Sequence, residues 1–101
     1  MWDRYKAKNG DVEAQFRLAK IYEVGFGELA QNFEAAFKWF KLAAENGHAE
    51  AQFKLGLMYE KGYGVTQNYK KAEKCYKLAA KKGHAKAQAA LIQKNDYLGN
   101  H

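Results

Sequence analysis

The chain has 101 residues, about the size of one domain, and it is 48% hydrophobic and 15% aromatic, enough to bury a modest core. Its formal net charge is +6, it has no proline, and its single cysteine, Cys75, excludes an internal disulfide and fits a reducing compartment. No stretch approaches the ~18 apolar residues of a membrane span, and Met1-Trp2-Asp3-Arg4-Tyr5-Lys6 lacks the apolar run of a signal peptide, so the expected location is the cytoplasm, unless this is a soluble fragment of a larger exported protein.

With no proline, glycine has to set the chain breaks. The first segment, residues 1–9, reads as the end of a helix stopped by Gly10. A second helix runs from about Asp11, a plausible N-cap, to Val24. The loop Gly25-Phe26-Gly27 follows. After Asn32, another good N-cap, Phe33, Ala36, Phe37, Phe40, Ala43 and Ala44 recur at i, i+3, i+4, i+7, which is one face of a helix.

The pattern then repeats. Ala43-Ala44-Glu45-Asn46-Gly47-His48-Ala49-Glu50-Ala51-Gln52 returns as Ala79-Ala80-Lys81-Lys82-Gly83-His84-Ala85-Lys86-Ala87-Gln88, an offset of 36. Its earlier copy, Ala7 to Gln15, lies 37 residues before. Tyr22-Glu23-Val24-Gly25-Phe26-Gly27 likewise returns as Tyr59-Glu60-Lys61-Gly62-Tyr63-Gly64, and the one-residue difference falls in the following loop, where surface loops tolerate it. Each unit therefore reads as a helix A, from about His48 to Lys61 in the second copy, and a helix B, which follows Asn68 and places Tyr69, Ala72, Tyr76, Ala79 and Ala80 on one face. A fixed period of this length marks a helical solenoid. The expected fold is all-α, an α-α superhelix of antiparallel helix pairs in a single domain over residues 1–101. Residues 1–9 form a partial helix B, 10–46 repeat one, 47–82 repeat two and 83–101 a C-terminal capping helix.

At these residues the chain resembles the Sel-one-like repeats, tetratricopeptide-like hairpins with a longer unit. Ala51, Leu55-Gly56, Tyr59, Gly62/Gly64, Ala72, Tyr76, Ala79-Ala80 and Gly83 match that pattern, as do Ala14, Leu18, Tyr22, Gly25/Gly27, Ala36, Trp39-Phe40, Ala43-Ala44 and Gly47. Ordinary tetratricopeptide units repeat every 34 residues and fit less well. The resemblance implies a right-handed superhelix that scaffolds protein complexes, with the helices A lining a concave groove, and names no partner. Ala19 and Ile92 stand where the second unit has Gly56, and Lys94 and Asn95 where it has Met58 and Tyr59. The last helix thus reads as a polar cap, which solenoids need.

No chemistry emerges. His48 and His84 share a repeat position, but neighbouring helices lie roughly 8–10 Å apart, too far for one zinc with bonds of about 2 Å; they read as helix-start residues. The glycine-bracketed loops are hairpin turns and not phosphate cradles. Some relatives by resemblance are described as penicillin-binding or β-lactamase-like, yet the chain contains no serine, so an acyl-serine mechanism is excluded. We expect no catalytic residue, cofactor or metal site. Cys75, at the position of Trp39, reads as a small core residue, and Gln15, Gln52 and Gln88, present in every unit, as hydrogen-bonding residues within the solenoid.

Two surfaces remain. At about 100° per residue, Ala51, Leu55, Met58 and Tyr59 form the buried side of helix A, and Phe53, Leu57 and Glu60 face the other way. Glu13, Phe16, Lys20, Glu23, Glu50, Phe53, Leu57 and Glu60 are accordingly the candidate contacts for a protein or peptide laid in the groove, with the alternative that Phe16 and Phe53 pack on the neighbouring helix A. The second surface is basic. The net +6 resides in residues 68–86, where seven lysines face Glu73 alone. Lys70, Lys71, Lys74, Lys77, Lys81 and Lys82 offer an alternative, electrostatic mode of binding to an acidic protein, nucleic acid or an anionic membrane surface. The absence of an arginine fork argues against nucleic acid.

Overall fold

The computed structural model describes the backbone of residues 2–98 and the side chains of 4–93. Within them lie six helices and no strand: α1 (Trp2–Lys8), α2 (Val12–Val24), α3 (Phe33–Glu45), α4 (Ala49–Lys61), α5 (Tyr69–Lys81) and α6 (Ala85–Leu98). Consecutive helices pack on one another, and each inner helix lies between its two chain neighbours. Helices α2, α4 and α6 are the helices A; α1, α3 and α5 are the helices B. The body measures 49 × 24 × 17 Å.

The helix starts follow from their caps. A side-chain acceptor satisfies one of the orphan N–H groups of a first turn. Asp11 accepts from the Ala14 N–H, Asn32 from that of Ala35 and Asn68 from that of Lys71. Within each hairpin the Asn N–H donates back to the preceding helix A, from Asn32 to the Tyr22 carbonyl and from Asn68 to that of Tyr59, both at 2.8 Å. The neighbouring Gln31 and Gln67 side chains donate to the Glu23 and Glu60 carbonyls. The recurring Gln-Asn pair is thus a clasp between helices A and B. The extra residue of the first loop closes a tight turn in which Phe26 and Leu29 exchange backbone hydrogen bonds.

Between units, each helix B ends in a tight reversal. Gly47 (φ +90°) allows the His48 N–H to reach back to the Ala43 carbonyl, and Gly83 (φ +86°) lets the His84 N–H reach that of Ala79. These are Schellman-type ends, for which the left-handed residue is usually glycine.

The core is small and aromatic. Phe40, Tyr76 and Met58 are its largest fully buried apolar side chains, set among Ala36, Ala43, Ala51, Ala72 and Ala79. Gly56 fulfils its expected role: a Cβ there would lie 2.6 Å from the Tyr76 ring. Ala19, its counterpart, is fully buried. Tyr69 departs from expectation. It begins the apolar face of α5 but is 57% exposed, whereas its counterpart Phe33 stacks on the Tyr63 ring of the following unit at 4.9 Å. The residue that corresponds to Tyr63 one unit later is Gly99, which carries no ring. Ile92 is exposed on the outer side of α6, and the side chains of Lys94 and Asn95 lie outside those described.

The Phe33–Tyr63 contact is tight at the backbone as well. A Cβ on Gly64 (φ +72°) would run into the Phe33 carbonyl, while Gly27 (φ +59°) has open space around it. Both glycines occupy a left-handed conformation that costs other residues about 1–2 kcal/mol, but only Gly64 adds overpacking, worth a further 1–3 kcal/mol or so. We therefore expect Gly64→Ala to lower the unfolding free energy by distinctly more than Gly27→Ala, measured by urea denaturation.

Candidate functional site

The residues expected to line the groove separate into two groups. Phe16 and Phe53 are buried, at 8% and 9% exposure. The His48 ring stacks on Phe16 at 4.3 Å between centroids, and His84 on Phe53 at 4.7 Å. Beneath them lie Phe40 and Tyr76, each 5.7 Å away. Each ring is thus packed inside the stack, on its own unit's helix B and under the histidine that opens the next helix A. The physical reason is that the next unit's histidine covers a ring that a single unit leaves open. Lys20 further shields Phe16, its Nζ lying 4.8 Å from the ring centroid.

The other candidates stay at the surface. Glu13 and Lys20 are exposed, and Glu23, Glu50, Leu57 and Glu60 are half-buried. Several are held by neighbours. Glu23 pairs with Lys54 of the next helix A at 3.5 Å. Glu60 accepts a 2.6 Å hydrogen bond from the Tyr76 hydroxyl, which, with burial first, pushes the Tyr76 phenol well above its ordinary range. Phe40 stands in place of Tyr76 in the first unit and has no hydroxyl to offer Glu23.

Sequence reasoning assigned the histidines only a general role at helix starts, and the structure makes it specific. Nδ1 of His48 accepts from the Ala51 N–H at 3.1 Å, and Nδ1 of His84 from the Ala87 N–H at 3.2 Å. A nitrogen that accepts carries no proton, so in the neutral ring the hydrogen sits on Nε2. That nitrogen lies 3.0 Å from Glu13 in the first case and 2.7 Å from Glu50 in the second. Each histidine thus caps its own helix and ties it to the helix A before. Burial raises the Glu50 pKa, but the His84 hydrogen bond and charge, with Lys54 and Lys86, outweigh it and hold the carboxyl below its ordinary value of 4.5. The recurring glutamines complete the joint: Gln15, Gln52 and Gln88 donate to the carbonyls of Ala7, Ala44 and Ala80.

The basic stripe is narrower than its sequence suggests. Lys70, Lys74, Lys77 and Lys81 are exposed and follow i, i+4, i+7, i+11 on α5, a single row. Lys71 leans over the Tyr59 ring at 5.6 Å. Lys82 lies past the helix end and brings its Nζ near Gly47, and Lys86 belongs to α6, where its charge reaches Glu50. The row carries a cost. Like charges at i, i+4 destabilise a helix by about 0.2–0.5 kcal/mol per pair, and Lys70 and Lys71 stand at the positive end of the helix dipole. The corresponding positions of α3 are Glu34, Lys38, Lys41 and Glu45, opposite charges at the same spacing.

Cys75 is buried, and burial pushes its thiol up to about 11. Among the described residues no cluster of three His, Cys, Asp or Glu side chains is placed to hold a metal, and no helix is long and apolar enough to cross a membrane.

A family model, the Sel1 repeat, matches residues 12–48 and 49–84, the two units set by the period. The chain belongs to the Sel1 repeat family. Among solved structures it is similar to a Sel1 repeat protein from Oxalobacter formigenes, at 36% identity and a TM-score of 0.88, over 91% of this chain and 68% of that one. It is also similar to c5321, described as a protective antigen present in uropathogenic Escherichia coli strains displaying an SLR fold, at 32% identity and a TM-score of 0.89. That match covers 98% of this chain and 21% of the longer one, so the chain spans about a fifth of that protein. No curated protein matches the sequence. Sel1 repeats are generally protein-interaction modules and typically non-enzymatic scaffolds.

Two outcomes follow from the joint and the thiol. Because the Glu50 pKa is lowered in the folded state, this carboxylate contributes stability well above pH 4.5 that is lost as the pH falls through its folded pKa. The stability difference between wild type and Glu50→Gln, read by urea titration, should be present at neutral pH and vanish in strong acid. Cys75 should resist iodoacetamide at neutral pH in the folded protein and react once it is unfolded.

Proposed function

We propose that this chain binds a protein or peptide partner along the layer of helices A, with Glu13, Lys20, Glu50 and Leu57 as the contacting side chains. The observation that carries this reading is the pair of consecutive Sel1 repeats, from a family whose members are generally protein-interaction modules. The choice of face rests on the open side chains of α2 and α4. Acidic and basic groups alternate there beside the half-buried Leu57, and peptide recognition by a rigid groove uses this mixture of an apolar contact and flanking charges. Phe16 and Phe53 contribute from below, by fixing the spacing of successive helices A. All four glutamates also hold a neighbour: Glu13 holds His48, Glu50 His84, Glu23 Lys54 and Glu60 Tyr76. Glu13 and Glu50 are preferred as contacts because their side chains stay more open than that of Glu23. The reading includes no catalytic group, cofactor or metal.

The test is affinity capture from the native lysate with wild type and with the double variant Lys20→Glu/Leu57→Asp. The double variant should lose its captured partner at least about tenfold when compared at equal amounts of folded protein, since Leu57 is half-buried against the core and its change also costs some stability. Undiminished capture by the folded variant would sink the proposal. As a contrast, Phe53→Ala should cost about 3–5 kcal/mol of stability, seen as a loss of folded protein and not as a selective loss of binding.

A further inference from the structure

The α5 row is a second candidate surface, distinct from the layer of helices A. Lys70, Lys74, Lys77 and Lys81 are exposed, and among the described residues no carboxylate pairs with any of them. Glu73, the one acid of this helix, sits half-buried on its flank. The corresponding row of α3 shows that the fold does not require this charge: with Glu34 and Glu45 at its ends it is neutral, and Glu34 lies in the first turn, where acid is favoured. The all-lysine row instead sets like charges at adjacent turns and places Lys70 in the first turn, where the dipole opposes a cation, while Lys81 in the last turn is favoured. A row that works against its own helix suggests an external source of compensation.

The shape of the row indicates what that source is. Successive lysines rise about 6, 4.5 and 6 Å along the axis, roughly 16 Å in all. Leu78, 51% exposed, lies beside them on the same side of α5. A planar anionic surface that covered this layer would also meet the Glu34 and Glu45 carboxylates of α3. A nucleic acid would find no arginine fork and no aromatic side chain within the row for base stacking. A narrow rod fits better. We propose that the outer face of α5 binds an acidic helical segment of a protein partner, with glutamate or aspartate at i, i+4, i+7 and i+11 opposite the four lysines and an apolar side chain over Leu78. Two helices in register share these rises, so each lysine meets one carboxylate.

The experiment uses a synthetic helical peptide with four glutamates at that spacing and one leucine beside them, and a second peptide with glutamine in their place. Fluorescence anisotropy at about 50 and about 300 mM salt, which spans strong and weak screening, reads the binding. The glutamate peptide should bind the wild-type chain, weaken with salt, and exceed the glutamine peptide at least about tenfold. Lys70→Glu/Lys81→Glu, which restores the α3 pattern, should abolish this binding without lowering the thermal midpoint; Leu78→Ala should weaken it several-fold; Lys20→Glu/Leu57→Asp should leave it unchanged. Equal binding by the Lys70→Glu/Lys81→Glu variant overturns the proposal. So does tighter, row-dependent binding of phosphatidylserine vesicles or of a thymidine oligonucleotide, which would assign the row to a membrane or to nucleic acid.

Discussion

The last carbonyl oxygens of each helix B have no helical partner of their own, and the way the chain satisfies them governs the whole molecule. Two come from within: a left-handed glycine folds the chain back so that the next residues donate to the final turn. A third comes from the following unit, when a glutamine one turn into helix A donates to the carbonyl of the second alanine of the Ala-Ala pair, Ala44 or Ala80, or of Ala7 where the first copy has Lys6-Ala7. The same reversal delivers the residue that caps helix A. One short stretch, Ala-Ala-x-x-Gly-His-Ala-x-Ala-Gln, therefore ends one helix, starts the next and bolts the two together.

The two full units do not execute this joint identically. Asn46 donates to the free oxygen of Gln15 at 3.4 Å, whereas the matching oxygen of Gln52 has no partner among the described residues, because Lys82 stands at the position of Asn46. Tyr76 gains a hydroxyl partner in Glu60, whereas Phe40 has none to make and Glu23 turns to Lys54 instead. The exchange of Phe40 for Tyr76 changes what the glutamate of its unit ties together. The first unit reaches forward to the second through Glu23–Lys54, and the second secures its own hairpin through Tyr76–Glu60.

Local chemistry was legible in the sequence. The N-caps Asp11, Asn32 and Asn68, the glycines of the reversals and, Tyr69 apart, the apolar face of helix B all follow from a few adjacent residues, and the structure puts them where they were read. The close approach at Gly56 was legible because its counterparts Ala19 and Ile92 differ in size. Contacts between units were harder. Helical periodicity set Phe16 and Phe53 opposite the face read as buried, although they pack on Phe40 and Tyr76 of their own helices B, and nothing in that periodicity says that the next unit's histidine will lie over them. The signal was present as two residues, a glutamate near the start of one helix A and a histidine at the start of the next, but their meaning needs the geometry that joins them. The lysines show the same limit. Charge counting merged Lys82 and Lys86 with the row, although they lie beyond the end of α5, where the helical register no longer sets their direction.

The histidine links and the glutamine bonds join each helix only to the one next in sequence or to the one after that. Nothing in the described molecule spans the length of the stack. When the two ends are drawn apart, these links bear the load in succession and not in parallel, as the teeth of a zip do. Because each unit contacts only its neighbours, the stack can bend by small amounts at each reversal while every helix remains intact.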